Sequence, residues 1–186
     1  RGQDPPEALT PTARPAHTGD VTPQRGGGSH AGADDRRSPR VPGVRALYAY
    51  TSVEEEPRDR RPPHRGLPST NLTVIVSTDG PLLCSATPED WAARTGSTHR
   101  ICLGSFHLQP VYLQRPDVQE GVQVAVHPLA ARRLFGLPAA ALTEFTQEGE
   151  DVLGPRMRAL HSRVTSAPGE RGSHVAEGLA ALARRH

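Results

Sequence analysis

NLTVIVSTDGPLLCSA, residues 71–86, decides how the rest of this chain is read. Leu72, Val74 and Val76 fall on one side of the segment, and Thr73, Ile75 and Ser77 on the other. That period of two is the pattern of a strand with two unlike faces. Asp79-Gly80 is a hairpin signal, because the favoured two-residue turn needs positive φ at its centre. PLLCSA is therefore predicted to return as the partner strand.

The same alternation recurs on both sides. VRALYAY (44–50) places Val44, Ala46, Tyr48 and Tyr50 on one side. GVQVAVHP (121–128) places Val122, Val124 and Val126 on one face, with Gln123 and Ala125 on the other. RICLGSFHL (100–108) reads as a strand broken at Gly104, and PVYLQ (110–114) as a short extended piece. The charged, Pro-rich stretch from Glu54 to Pro68 reads as a long loop.

Beyond residue 127 the period changes. Pro128 suits a first helical position, Gly136 a stop, and Pro138 lies just beyond. PAAALTEF (138–145) fits a second short helix. Asp151 opens a third, with Leu153, Met157, Leu160 and Val164 along one stripe and Pro155 tolerated in the first turn. A last helix carries Val175, Leu179 and Leu182. Strands without crossover helices between them, then helices, predict an α+β fold. The expected form is a small antiparallel sheet or cupin-like barrel of about six strands, followed by three or four helices.

Residues 1–42 are unlike the remainder. RGGGSHAGADDRRSPR (25–40) buries too little apolar surface to offset the entropy of ordering, so a disordered Pro/Gly/Arg-rich tail is expected there. Gly26-Gly27-Gly28 has no preceding strand and no following GK[ST], which removes a phosphate-loop reading. The folded domain is expected over 43–186.

Charge and composition exclude more than they assign. The 186 residues carry a formal charge of +2, and all 22 basic residues are Arg. These Arg are scattered and often stand beside acids, as in RDRR (58–61) near Glu54, Glu55 and Glu56. No basic stripe of the kind that grips nucleic acid emerges. No run approaches the roughly 20 apolar residues of a membrane span, and no segment resembles a signal peptide. A cytoplasmic protein without membrane contact is expected.

No catalytic constellation is visible. There is no GxSxG elbow, and neither Cys84 nor Cys102 has a recognisable His partner motif. Glu54, Glu55 and Glu56 are consecutive and diverge in direction, a poor basis for paired acid–base work. Nine His invite a metal reading, but none is spaced as HxH. His107 and His127 could approach across a sheet, yet two imidazoles make an incomplete site. Cys84 and Cys102 are expected as small buried thiols. Asn71-Leu72-Thr73 matches a glycosylation sequon but opens a strand. Trp91, in TPEDWAAR, packs over the sheet or walls a small-molecule pocket. The expectation is a non-enzyme with no catalytic, cofactor or metal residues.

RGLPSTNLTVIVSTDGPL (65–82), GVQVAVHPLAARRLFGLPAAAL (121–142) and EDVLGPRMRALHSRVTSAP (150–168) resemble the N-terminal region of AraC-type bacterial transcription regulators. The resemblance spans about residues 44–186. It departs at Ala130, where the family usually has Gly, at Phe135, which replaces a Leu, and in GERGSHVAEGL (169–179), which lacks the usual Trp and Phe. It implies a sensing or dimerising region, with a small-molecule effector and a second copy of the chain as partners. DNA would be contacted only through a C-terminal helix-turn-helix domain, which is expected to be truncated away after EGLAALARRH (177–186). The alternative is a stand-alone ligand-binding or interaction module without DNA-binding activity.

Overall fold

The computed structural model describes residues 41–57, 60–114 and 116–184. The expected tail lies outside these residues through position 40. Among the described residues, nine strands form two antiparallel sheets. The larger sheet contains β1 (Val44–Val53), β3 (Leu72–Ser77), β6 (Ile101–Gly104), β8 (Val118–Val126) and β9 (Thr146–Glu148), in the order β1-β8-β3-β6-β9. The smaller contains β2 (His64–Gly66), β4 (Leu82–Ser85), β5 (Ser97–His99) and β7 (Val111–Leu113), in the order β2-β7-β4-β5. The fold is α+β as expected, built from two sheets rather than one closed barrel.

Alternation along β3 and β8 explains the layers. Leu72, Val74, Val76, Val122, Val124 and Val126 are all fully or almost fully buried. They form one core with Leu134 and Phe135 of α2 (Ala131–Phe135), Met157, Leu160 and Val164 of α4 (Arg156–Ser166), and Val175, Leu179 and Leu182 of α5 (Arg171–Ala183). Ile75, one residue out of phase, faces the opposite way. It packs with Leu82, Cys84, Cys102, Val111, Leu113 and Phe145 in a second, smaller core. Helices thus cover one face of the larger sheet and the smaller sheet covers the other. Arg171, at the start of α5, pairs with Glu120 of β8 at 2.5 Å and pins the helical layer to the sheet.

The predicted hairpin does not form. β3 pairs with β6 and β8, and β4 pairs with β5 and β7 in the other sheet. The Asp79 carboxylate accepts from the Ser77 hydroxyl at 3.2 Å and from the Glu120 amide at 3.1 Å, so it anchors the turn to β8. Pro81 has no N–H to continue a ladder. The chain therefore arches from one sheet to the other, which also separates the fold from a simple meander.

Other departures have local causes. A register shift between Val44 and Ala46 changes the phase of β1, so Val44, Leu47 and Ala49 meet the core instead of Ala46, Tyr48 and Tyr50. β2 lies within the stretch read as a loop, paired to β7. β8 begins at Val118, leaving Gly121 inside the strand. There a Cβ would lie 2.4 Å from the Val76 carbonyl oxygen, so glycine permits the close approach of β3. The third helix divides into α3 (Gly149–Leu153) and α4, because Gly154 takes φ +83° and Pro155 follows. The break leaves Leu153 half-buried on α3, while Met157, Leu160 and Val164 keep their stripe.

The ends of the α2 segment behave as read, whereas PAAALTEF, read as a second short helix, forms only a three-residue 3₁₀ turn. Pro128 opens a 3₁₀ turn that runs into α2, and Gly136 closes α2 at φ +76°. Pro138 is followed by another 3₁₀ turn at Ala139–Ala141. Among the described residues no helix is long and apolar enough to cross a membrane.

Candidate functional site

Two places beside the smaller sheet gather chemistry. The first is a cleft of about 210 Å³ on its outer side, bordered by Arg61, Leu83, Trp91, Arg94, Leu113 and Gln114. Leu83 points there because its neighbours Leu82 and Cys84 point inward to the second core. Trp91 sits on α1 (Pro88–Ala93), whose start is capped by the Thr87 hydroxyl accepting from the Asp90 amide at 3.0 Å. The indole N–H of Trp91 donates to the Leu113 carbonyl at 3.1 Å, and the Gln114 amide donates to the Trp91 carbonyl at 2.5 Å. Trp91 therefore packs α1 onto β7 and borders the cleft.

The two cations of the cleft differ. Arg61 is bound to Asp117 at 2.6 Å and its Nε donates to the Glu56 carbonyl. Arg94 occupies the left-handed cap of α1 at φ +55°, is exposed, and has no ion pair or side-chain hydrogen bond among the described residues. A cleft that sets Leu83, Trp91 and Leu113 beside the Arg94 guanidinium suits a small anion with an apolar body.

The second place is buried between the sheets. Cys84 of β4, Cys102 of β6 and His99 of β5 each offer a ligand atom, all within 4.8 Å of one another. The two free thiols lie 3.8 Å apart, sulfur to sulfur. Residues i and i+3 of a flat strand point to opposite faces. Here a bend at Arg100 separates β5 from β6, so His99 and Cys102 face the same interior. The Glu148 carboxylate stabilises that bend by accepting from the amides of Arg100 at 2.8 Å and Ile101 at 3.1 Å.

His99 Nε2 is engaged by Ser97 Oγ at 2.8 Å and Thr146 Oγ1 at 3.0 Å, while the two hydroxyls contact each other at 3.0 Å. Among the described residues, Nδ1 is buried without a partner. Burial holds the imidazole below its ordinary pKa, partly offset by Glu148 and Asp151. The hydrogen bond to Cys84, reinforced by burial, pushes the Cys102 thiol well up.

A pH effect follows from His99. Its folded pKa lies below the unfolded 6.5, so the unfolded chain binds more protons between those values. Stability is fully present above 6.5 and is lost as pH falls toward the folded pKa. Urea midpoints at pH 7.5 and pH 5 should separate more for the wild type than for His99→Gln. Equal separation in the two proteins would show that His99 contributes none of the acid sensitivity.

The other candidates stay apart. His107 packs edge-on against Phe145 and contacts the Gln109 carbonyl, whereas His127 accepts from the Leu129 amide at the start of the 3₁₀ turn. They follow β6 and β8, which β3 separates, so the sheet does not join them into a site. Glu55 and Glu56 are exposed after β1. Asn71 precedes the fully buried Leu72. Sequence reasoning missed His99 because its neighbours in the site come from other strands. An HxxC spacing was the only local sign, and it carries meaning only once the bend at Arg100 is known. Neither a family model nor a curated protein matches this sequence.

Proposed function

We propose that this chain is the sensing or dimerising region of a bacterial AraC-type transcription regulator, a cytoplasmic protein whose DNA contacts belong to a separate helix-turn-helix region. The observation that carries the sensing role is the Trp91 cleft, where Leu83, Trp91 and Leu113 lie beside Arg94, which has no ion pair among the described residues. The family reading rests on the resemblance of its three segments, whose Leu72, Val74, Val76, Val122, Val124, Val126, Leu134, Met157, Leu160 and Val164 belong to one core. The expected effector is a small carboxylate with an apolar body.

Trp91 is the single Trp of the chain, so its fluorescence reports directly on the cleft. Titration with a panel of aliphatic and aromatic carboxylates should yield at least one that shifts the emission and raises the melting temperature. Arg94→Ala should weaken that ligand about tenfold or more, as expected for loss of a charge-assisted hydrogen bond. A panel without any response would remove the sensing role from this cleft. Tight, sequence-specific DNA binding by the 186-residue chain in a gel shift would contradict the assignment of DNA reading to another region.

A further inference from the structure

We propose that Cys84, Cys102 and His99 form a binding site for one thiophilic d10 metal ion, Zn(II) or Cu(I). The site stands on its own geometry and does not depend on the regulator reading. Two thiolates sharing a tetrahedral ion at about 2.3 Å lie about 3.8 Å apart. The sulfurs of Cys84 and Cys102 already have that separation, at 3.8 Å. A ring nitrogen of His99 completes a triangle with edges no longer than 4.8 Å.

The Nδ1 of His99, without a partner among the described residues, is the nitrogen left open to an ion. The residue is only 5% exposed, and a buried polar atom without a hydrogen bond is costly. Ser97 and Thr146 hold the opposite nitrogen, Nε2. With the proton on Nε2, those hydroxyls accept it, and Nδ1 presents its lone pair. Ligating imidazoles are usually oriented in this way by a partner on the second nitrogen. On binding, the two thiols release their protons to solvent and both sulfurs bind as thiolates. Neutral His99 loses no proton.

Soft sulfur donors with one imidazole select Cu(I) or Zn(II) over Mg(II) or Ca(II). Zn(II) would balance the two thiolate charges and take a water as fourth ligand, whereas Cu(I) would be satisfied by three donors in a trigonal plane. Entry is by way of β5, a three-residue edge strand whose Ser97 and Thr98 are exposed.

The test uses the full chain, purified with a non-thiol reductant and stripped with a chelator. It is loaded anaerobically with Zn(II) in one arm and Cu(I) in the other, desalted, and analysed for metal. One ion per chain is expected in at least one arm, and the arm that loads identifies the metal. Cys84→Ser and Cys102→Ser should each weaken binding at least a hundredfold, measured against a chromophoric chelator, and His99→Ala at least tenfold. The Cys84→Ala/Cys102→Ala double variant keeps small apolar groups in the second core. It should lose the ion while its circular dichroism matches that of the metal-free wild type. Substoichiometric metal in both arms of the wild type overturns the proposal whatever the variants do, as does one ion retained without either cysteine.

Discussion

Leu134→Ala should lower the stability of the chain by about 3–4 kcal/mol, the cost of removing a fully buried leucine and leaving a cavity that relaxes only in part. Leu134 is 0% exposed. It shares the main core with the valines of β3 and β8 and with the buried residues of α4 and α5, so no solvent-facing side is available to fill the gap. Native domains are stable by only about 5–15 kcal/mol, so the loss is a large part of the total. For a domain of this size it corresponds to a fall of about 10 °C in melting temperature. Thermal and urea unfolding measure it. A loss under about 1 kcal/mol would mean that α2 does not close the core.

The second large effect is expected at Gly96→Ala. Gly96 has φ +147°, and a Cβ built there would stand 2.2 Å from the carbonyl oxygen of Cys84 and 3.0 Å from its carbon. These are backbone atoms of β4, which cannot swing aside as a flexible side chain can. Backbone strain and overpacking each cost about 1–3 kcal/mol, so a combined loss of about 2–6 kcal/mol is expected. Ser85 Oγ donates to the Thr95 carbonyl at 2.6 Å and holds the same close approach. Moving β5 outward would also carry His99 away from Cys84, so this variant should bind metal more weakly than the wild type. Gly169→Ala is the control, because its Cβ would meet nothing within 4 Å and its φ is not positive. Equal melting temperatures for the two variants would refute the close contact between β4 and β5.

Much of the fold was legible wherever a local rule was strong. Val122, Val124 and Val126 alternate with polar or small residues, and all three are buried as read. Pro128, Gly136 and Pro138 bound their helical segment because fixed φ, left-handed φ and a missing N–H act within one turn. Met157, Leu160 and Val164 form the stripe that their spacing predicts, but the helix breaks at Gly154, which takes φ +83° ahead of Pro155. The Asp79-Gly80 turn was misassigned because a turn motif specifies a reversal and not the strand that receives it. The receiving strand was chosen by Asp79 bonding to Glu120, more than forty residues away in sequence.

The candidate sites were legible only in fragments. Trp91 packs onto the smaller sheet, as its sequence context predicts, and also borders a cleft. Cys84 and Cys102 were read as buried thiols, and they are. Their meeting could not be read, since β4 and β6 belong to different sheets and the spacing between them follows from how those sheets stack. His99 joins them through the bend at Arg100, which is stabilised by Glu148 from β9, a strand too short for its alternation to be seen.

Sequence by itself therefore determined the α+β class, the buried faces of β3 and β8, and the ends of α2. These depend on side-chain period and on backbone limits felt within a few residues. Tertiary structure alone decided that NLTVIVS and PLLCSA lie in separate sheets, and that two thiols and an imidazole meet between them. Both outcomes rest on hydrogen bonds and packing between residues far apart in the chain, whose free energy appears only when the layers assemble.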